Sequence, residues 1–138
     1  MAGTIVVGYD GGEGASVALD AALVLCQDLG ADLVVVFGYG MPLPERQSAD
    51  YREALRELGE KFVREAVERA EAAGVRATSE LVFEKAPQAL VDAGVKHDAR
   101  VLVVGAHGEG PIKGALLGST AHKLLHLSER PVLVVPAG

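Results

Sequence analysis

The chain has one cysteine, no tryptophan, three phenylalanines and three tyrosines. A lone cysteine cannot form an internal disulfide, so the fold is not a disulfide scaffold. Cys26 sits in an apolar helical context and reads as a small core hydrophobe rather than a redox thiol. No apolar run approaches the ~20 residues of a membrane-spanning helix. The opening segment, MAGTIVVGYD, lacks a basic n-region and reads as a strand rather than a signal peptide, so cytoplasmic residence is expected. Basic residues are few: 13 Lys and Arg against 19 Asp and Glu leave a net charge of −6. That balance argues against nucleic-acid partners and anionic membranes. It leaves room for a local phosphate site, because neutral main-chain N–H groups can hold an anion.

Against these absences, the 138 residues are 49% hydrophobic and 23% charged. That is enough for one globular domain over residues 1–138 with a proper core. Short apolar runs alternate with helical patterns. Thr4 to Gly8 is a β-branched run, followed by the turn Asp10-Gly11-Gly12. From Ala15 to Leu29 apolar residues recur at helical spacing, and Gly30 closes the helix. Leu33 to Phe37 is a second strand, and Gly38 to Pro44 a loop. Ala49 to Ala73 is a long amphipathic helix with Glu57–Lys61 and Glu60–Arg64 spaced to pair at i,i+4; Gly74 ends it. Val75 to Phe83 alternates and reads as an edge or near-edge strand. Pro87 to Val95 is a short helix with proline in its first turn. Arg100 to Val104 and Val132 to Val135 are the fourth and fifth strands. Continuous apolar strands separated by helices imply an α/β fold, a parallel sheet covered on both faces.

The most informative stretch is Gly105-Ala-His-Gly108, followed by Gly118-Ser119. It runs from the apolar Val101-Leu102-Val103-Val104 to a helical pattern over Ser119 to Leu127. A strand, a glycine-punctuated loop and a helix start, in that order, suit an anion: unpaired N–H groups and the positive end of the helix dipole attract phosphate. Neither GxxxxGK[ST] nor GxGxxG is present in this loop. The reading is a nucleotide phosphate held mainly by main chain. In doubly wound sheets ligands sit beyond the strands' carboxyl ends where the winding reverses. Asp10 ends the first strand and Gly105 the fourth; both lie at that point if the two strands are neighbours.

These residues resemble the universal stress protein family over essentially the whole chain. The resemblance rests on Ile5-Val6-Val7-Gly8-Tyr9-Asp10, Gly30-Ala31-Asp32-Leu33 and Val101-Leu102-Val103-Val104-Gly105. Its most specific element is Gly-x2-Gly-x9-Gly-Ser, met by Gly105, Gly108, Gly118 and Ser119, and Arg130-Pro131-Val132-Leu133-Val134-Val135 completes it. The resemblance implies a single-domain, doubly wound, Rossmann-like five-stranded parallel sheet of order 3-2-1-4-5. It also implies a homodimer through Val132 to Val135, and binding of ATP, with Mg²⁺. Asp10, beside Tyr9, matches the acidic residue that contacts ribose. Gly38 falls where the second strand meets adenine. Val104, at the end of the fourth strand, counts among the nucleotide-binding residues, and Gly105, His107, Gly108, Gly118, Ser119 and Thr120 fall where the phosphates lie. Four positions depart from the family pattern: Gly12 for a common serine, Gly38 for an apolar side chain, Lys85 for a glycine, and Ala121 for a hydroxyl residue.

Several residues keep a second reading. Asp10 can be a turn residue before Gly11-Gly12, and Ser119 a helix cap. Lys113 can reach a phosphate or remain a solvated loop lysine. His122 and His126 have metal-pair spacing but lack the HExxH glutamate and a third ligand, so no metal site is assigned. No triad or activated nucleophile is evident, so no catalytic residue is assigned. Three functions stay open: an ATP-binding regulatory module of a stress response with an unidentified protein partner, a slow ATPase or self-phosphorylating protein with Ser119 or Thr120 as acceptor, and a binder of another adenine nucleotide such as cyclic AMP.

Overall fold

The computed structural model describes residues 3–40, 49–107 and 117–137. Five strands, β1 (Thr4–Gly8), β2 (Asp32–Gly38), β3 (Ala77–Val82), β4 (Val101–Gly105) and β5 (Val132–Val135), form one parallel sheet of order β3-β2-β1-β4-β5. Four helices connect them: α1 (Glu13–Leu29), α2 (Ala49–Ala72), α3 (Ala86–Lys96) and α4 (Ser119–Leu127). β1 pairs with β2 on one side and β4 on the other, with Val6 opposite Val34 and Leu102. The winding therefore reverses between β1 and β4. The expected strand order and the edge position of the third strand are both observed. The third strand is shorter than its alternating pattern; Val75 is buried but precedes the ladder, which β2 engages from Arg76 onward.

The apolar runs are continuous because every central strand is covered twice. Ile5, Val7, Leu33, Val35 and Val103 bury their side chains on the α1 and α2 side. Val6, Val34, Val36, Leu102 and Val104 do so on the other, with Leu90 of α3 and Leu124 of α4. The alternation of strand side chains sends successive valines into two separate cores. Cys26 is 1% exposed within the first core, and burial, with the Asp32 charge, pushes its thiol up to about 11. It is a packed hydrophobe, as its helical context suggests. Gly30 and Gly74, both in left-handed backbone, end α1 and α2 where expected.

Two polar details differ from expectation or go beyond it. On the outer face of α2, Arg56 rather than Arg64 pairs with Glu60, at 2.6 Å, and also approaches Glu53. Glu80 of β3 is clasped by Lys96 and His97 at the end of α3, at 2.9 and 2.7 Å. Burial raises the Glu80 carboxyl, and the bonds and charges of Lys96 and His97 more than offset this, leaving it below its ordinary 4.5. A depressed folded-state pKa stabilises the fold above the ordinary value, and the gain is lost as pH falls through the folded value. Glu80→Gln is therefore expected to cost about 1 kcal/mol near pH 7 and much less at acid pH. Urea unfolding of both proteins at the two pH values checks this; an equal cost at both would remove the electrostatic account.

Candidate functional site

The cleft forms where strand ends and helix starts converge. β1, β2 and β4 deliver Gly8 to Asp10, Val36 to Gly38, and Val104 to Gly105; α1, α3 and α4 begin beside them with Ala15, Ala86 and Thr120. About 560 Å³ of space lies between these elements, open solvent at the mouth included. Of the residues expected in the site, Tyr9, Asp10, Gly38, Val104, Gly105, His107, Gly118 and Thr120 all line it. Ser119 does not: it is exposed at the first position of α4, with Gly118 as the N-cap. Gly108, Lys113 and the turn Gly110-Pro111 lie outside the described residues.

Main chain builds the polar half of the cleft. Gly118 N donates to Ala106 O at 2.7 Å, tying the start of α4 to the end of β4. The first bond along α4 runs from His122 N to Gly118 O, and the N-cap supplies no side-chain bond. The N–H groups of Ser119, Thr120 and Ala121 thus have no partner within the helix. α1 begins in the same way, with Ser16 N on Gly12 O and no side-chain cap. Three helices thus begin at one cleft without side-chain caps, and among the described residues no lysine or arginine lines it. Attraction for an anion there comes from backbone dipoles.

Two close approaches hold this geometry. A Cβ on Gly105 would stand 2.6 Å from the Gly14 carbonyl oxygen, and one on Gly14 would overlap the His107 carbonyl. The end of β4 and the first turn of α1 therefore pack backbone on backbone. Gly14 had no place in the sequence reading; a glycine in the first helical turn, where it costs helix stability, was the available signal. A Cβ on Gly38 would lie 2.9 Å from both the Ala86 Cα and the Glu84 carbonyl oxygen. Gly38 lets the β3–α3 turn close over the end of β2, and the apolar wall comes instead from Val36, Ala86 and Leu90.

The other departures are also resolved. Lys85 has φ −63, ψ 150, which any residue adopts, so no glycine is required there. Gly12 caps α1 through its backbone alone, at a cost of only a few tenths of a kcal/mol against serine. Ala121 is 1% exposed and packs in the second core, so its methyl serves the helix–sheet contact.

Asp10 holds its turn and also lines the cleft. Its Oδ1 accepts the Gly12 N–H at 3.0 Å, which shapes the turn. A carboxylate has further acceptor sites, and the residue is exposed at the cleft. His122 and His126 lie ring against ring, centroids 4.9 Å apart, exposed on the outer face of α4. Among the described residues no group of three or more His, Cys, Asp or Glu is placed to hold a metal ion. Nor is any described helix long and apolar enough to cross a membrane.

Sheet order, winding and a cleft at the reversal define a doubly wound, Rossmann-like α/β protein. Within that class, the model of the universal stress protein family matches residues 1–136. A universal stress protein of Thermus aquaticus is 31% identical over 134 residues, spanning 96% of this chain and 97% of that protein. A solved universal stress protein in complex with cAMP is 31% identical, covers 99% of this chain and 98% of its own, and superimposes with a TM-score of 0.75. The universal stress protein UspA from Lactobacillus plantarum shares the fold at a TM-score of 0.83 and 18% identity, over 96% of this chain and 97% of its own. The chain belongs to the universal stress protein family.

Proposed function

We propose that this chain is a regulatory module that binds an adenine nucleotide, ATP with Mg²⁺, at the carboxyl edge of its sheet. One observation carries the reading: the unpartnered N-terminus of α4, tied through Gly118 to Ala106, opens onto a cleft whose opposite wall is apolar. The apolar wall of Val36, Ala86 and Leu90 suits a purine. Asp10 accepts hydrogen bonds from ribose hydroxyls. Thr120, His107 and the first N–H groups of α4 take phosphate oxygens. Mg²⁺ bound with the phosphates would offset their charge beside a protein of net charge −6. No catalytic role is assigned, and the nucleotide acts by biasing a cytoplasmic partner or the dimer state. Mass spectrometry of the nucleotide that co-purifies, followed by calorimetry with ATP, tests the reading; a purified protein that binds no adenine nucleotide would end it.

The cAMP complex of a relative 31% identical to this chain favours a second reading, in which cyclic AMP is the ligand. Competition decides between them. Displacement of cyclic AMP by ATP at lower concentration supports the first, and the reverse order the second.

Asp10→Asn separates a sugar ligand from a catalytic base. Asparagine keeps an oxygen for the Gly12 N–H but loses the charge that strengthens bonds from hydroxyls. Affinity for ATP is expected to fall roughly tenfold, with less discrimination against 2′-deoxyATP. Intact affinity together with loss of a genuine ATP turnover would instead make Asp10 a base.

A further inference from the structure

All three phenylalanines and Tyr39 form one connected group beside the cleft. Phe62 meets Phe37 edge to face at 6.0 Å, Phe37 stacks on Tyr39 at 6.1 Å, and Tyr39 tilts against Phe83 at 5.3 Å. Arg52 lies 3.7 Å over the Phe83 ring. For a chain with six aromatic residues, this is a marked concentration at one corner. Its inner end touches the Asp10 turn. Gly11 sits at φ +83, and its missing Cβ would fall 2.6, 2.7 and 2.8 Å from Cε1, Cδ1 and Cζ of Phe62. The ring therefore lies flush against the Gly11 backbone. α2 reaches this position because Gly59, one turn earlier, lets the Phe37 ring into the helix surface.

The consequence reaches Asp10. The turn Asp10-Gly11-Gly12 has one described internal bond, Gly12 N to Asp10 Oδ1. Two glycines give such a turn wide freedom, and its left-handed residue carries no side chain to anchor it. The Phe62 ring supplies the missing wall. It occupies the space into which Gly11 would move toward α2.

We infer that Phe62 is the positioning residue for the Asp10 carboxylate, coupling α2 to recognition of the ligand's sugar. The inference rests on the adenine-nucleotide reading for its ligand, and on geometry alone for its mechanics. Phe62 touches no substrate atom; it acts through Gly11. Removing the ring frees the turn, so sugar selectivity drops more than overall affinity. Filling the same space from the other side has a like effect: Gly11→Ala places a methyl into the ring and demands a strained φ. In a Phe62→Ala background the steric part of that cost disappears, so the two substitutions are non-additive.

Two measurements on the full chain test this. The first is amide hydrogen exchange of Gly12 in the ligand-free protein. Phe62→Ala is expected to speed it about tenfold, as local opening of the turn becomes easier. The second is the ratio of dissociation constants for 2′-deoxyATP and ATP, expected to fall about threefold or more toward unity. Phe62→Tyr keeps the ring and should restore both. Phe83→Leu, which disturbs the same aromatic group away from the turn, should move neither. If Phe62→Ala does not fold, Phe62→Leu, apolar but without the flat ring, provides both readouts. Unchanged Gly12 exchange and an unchanged ratio in a folded variant would overturn the inference. Faster Gly12 exchange in a protein that never discriminates between the two sugars would overturn the sugar role of Asp10 while upholding the mechanical contact.

Discussion

Gly118→Val is expected to weaken ATP binding at least tenfold, about 1.4 kcal/mol, in a protein that still folds. Gly118 has φ −64 and ψ 163, extended backbone open to any residue. Its backbone conformation therefore does not require glycine. It lines the cleft, and its N–H bonds to Ala106 O. A branched side chain would hold a phosphate away from the N–H groups of Thr120 and Ala121, which act only at short range. Valine is also a poor N-cap, but the backbone cap it inherits is the one glycine already uses. Calorimetry on the variant, after circular dichroism has verified its fold, reads the effect. Unchanged affinity would remove α4 from the phosphate site.

The second large effect concerns assembly. We propose that the chain forms a homodimer through β5. β5 is the free edge beyond β4, and Leu133 on it is 39% exposed. Arg130, the basic residue just before it, does not guard the edge: its guanidinium is bound to Asp98 at 2.8 Å and to Ala99 O at 3.0 Å. Leu102 N bonds to Pro131 O and Ala106 N to Val135 O. Odd-numbered β5 residues thus face the β4 ladder, and Val132 and Val134 turn their N–H and C=O outward. Among the described residues nothing pairs with this apolar edge, which invites another strand, and a second copy can meet it about a two-fold axis. Val134→Pro removes an outward donor without breaking a bond to β4, and Leu133→Lys puts a charge on the exposed apolar side chain of the edge strand. Light scattering after size exclusion should show a dimer for the unmodified chain and a monomer for both variants at micromolar concentration. A monomeric unmodified chain would refute the dimer, and a dimer surviving both changes would place the interface elsewhere.

The cleft residues that sequence reasoning found share one property: each ends a strand or starts a helix, where local pattern is strong. Asp10, Gly105 and Gly118 mark such boundaries, and the structure brings all three to one cleft. Gly14, Phe62, Ala86 and Leu90 were not found. Apart from the helix-weakening glycine at 14, each is unremarkable within its own helix, and all four matter through a neighbour more than twenty residues away. Ser119 stands apart: its place in the glycine motif suggested contact with phosphate, and the structure has it exposed at the first position of α4 while Thr120 lines the cleft.

Hydrophobic periodicity and glycine stops determined the elements, their order along the chain and the doubly covered sheet, because burial and backbone conformation are written residue by residue. Recurrent motifs determined the family. The family resemblance carried the strand order, β1 beside β4 included. Tertiary structure alone decided that Gly38 and Gly105 serve backbone contacts, and that an aromatic group lies against the Asp10 turn. Those facts depend on which surfaces meet in space, and a one-dimensional pattern carries the identity of each surface but not its partner.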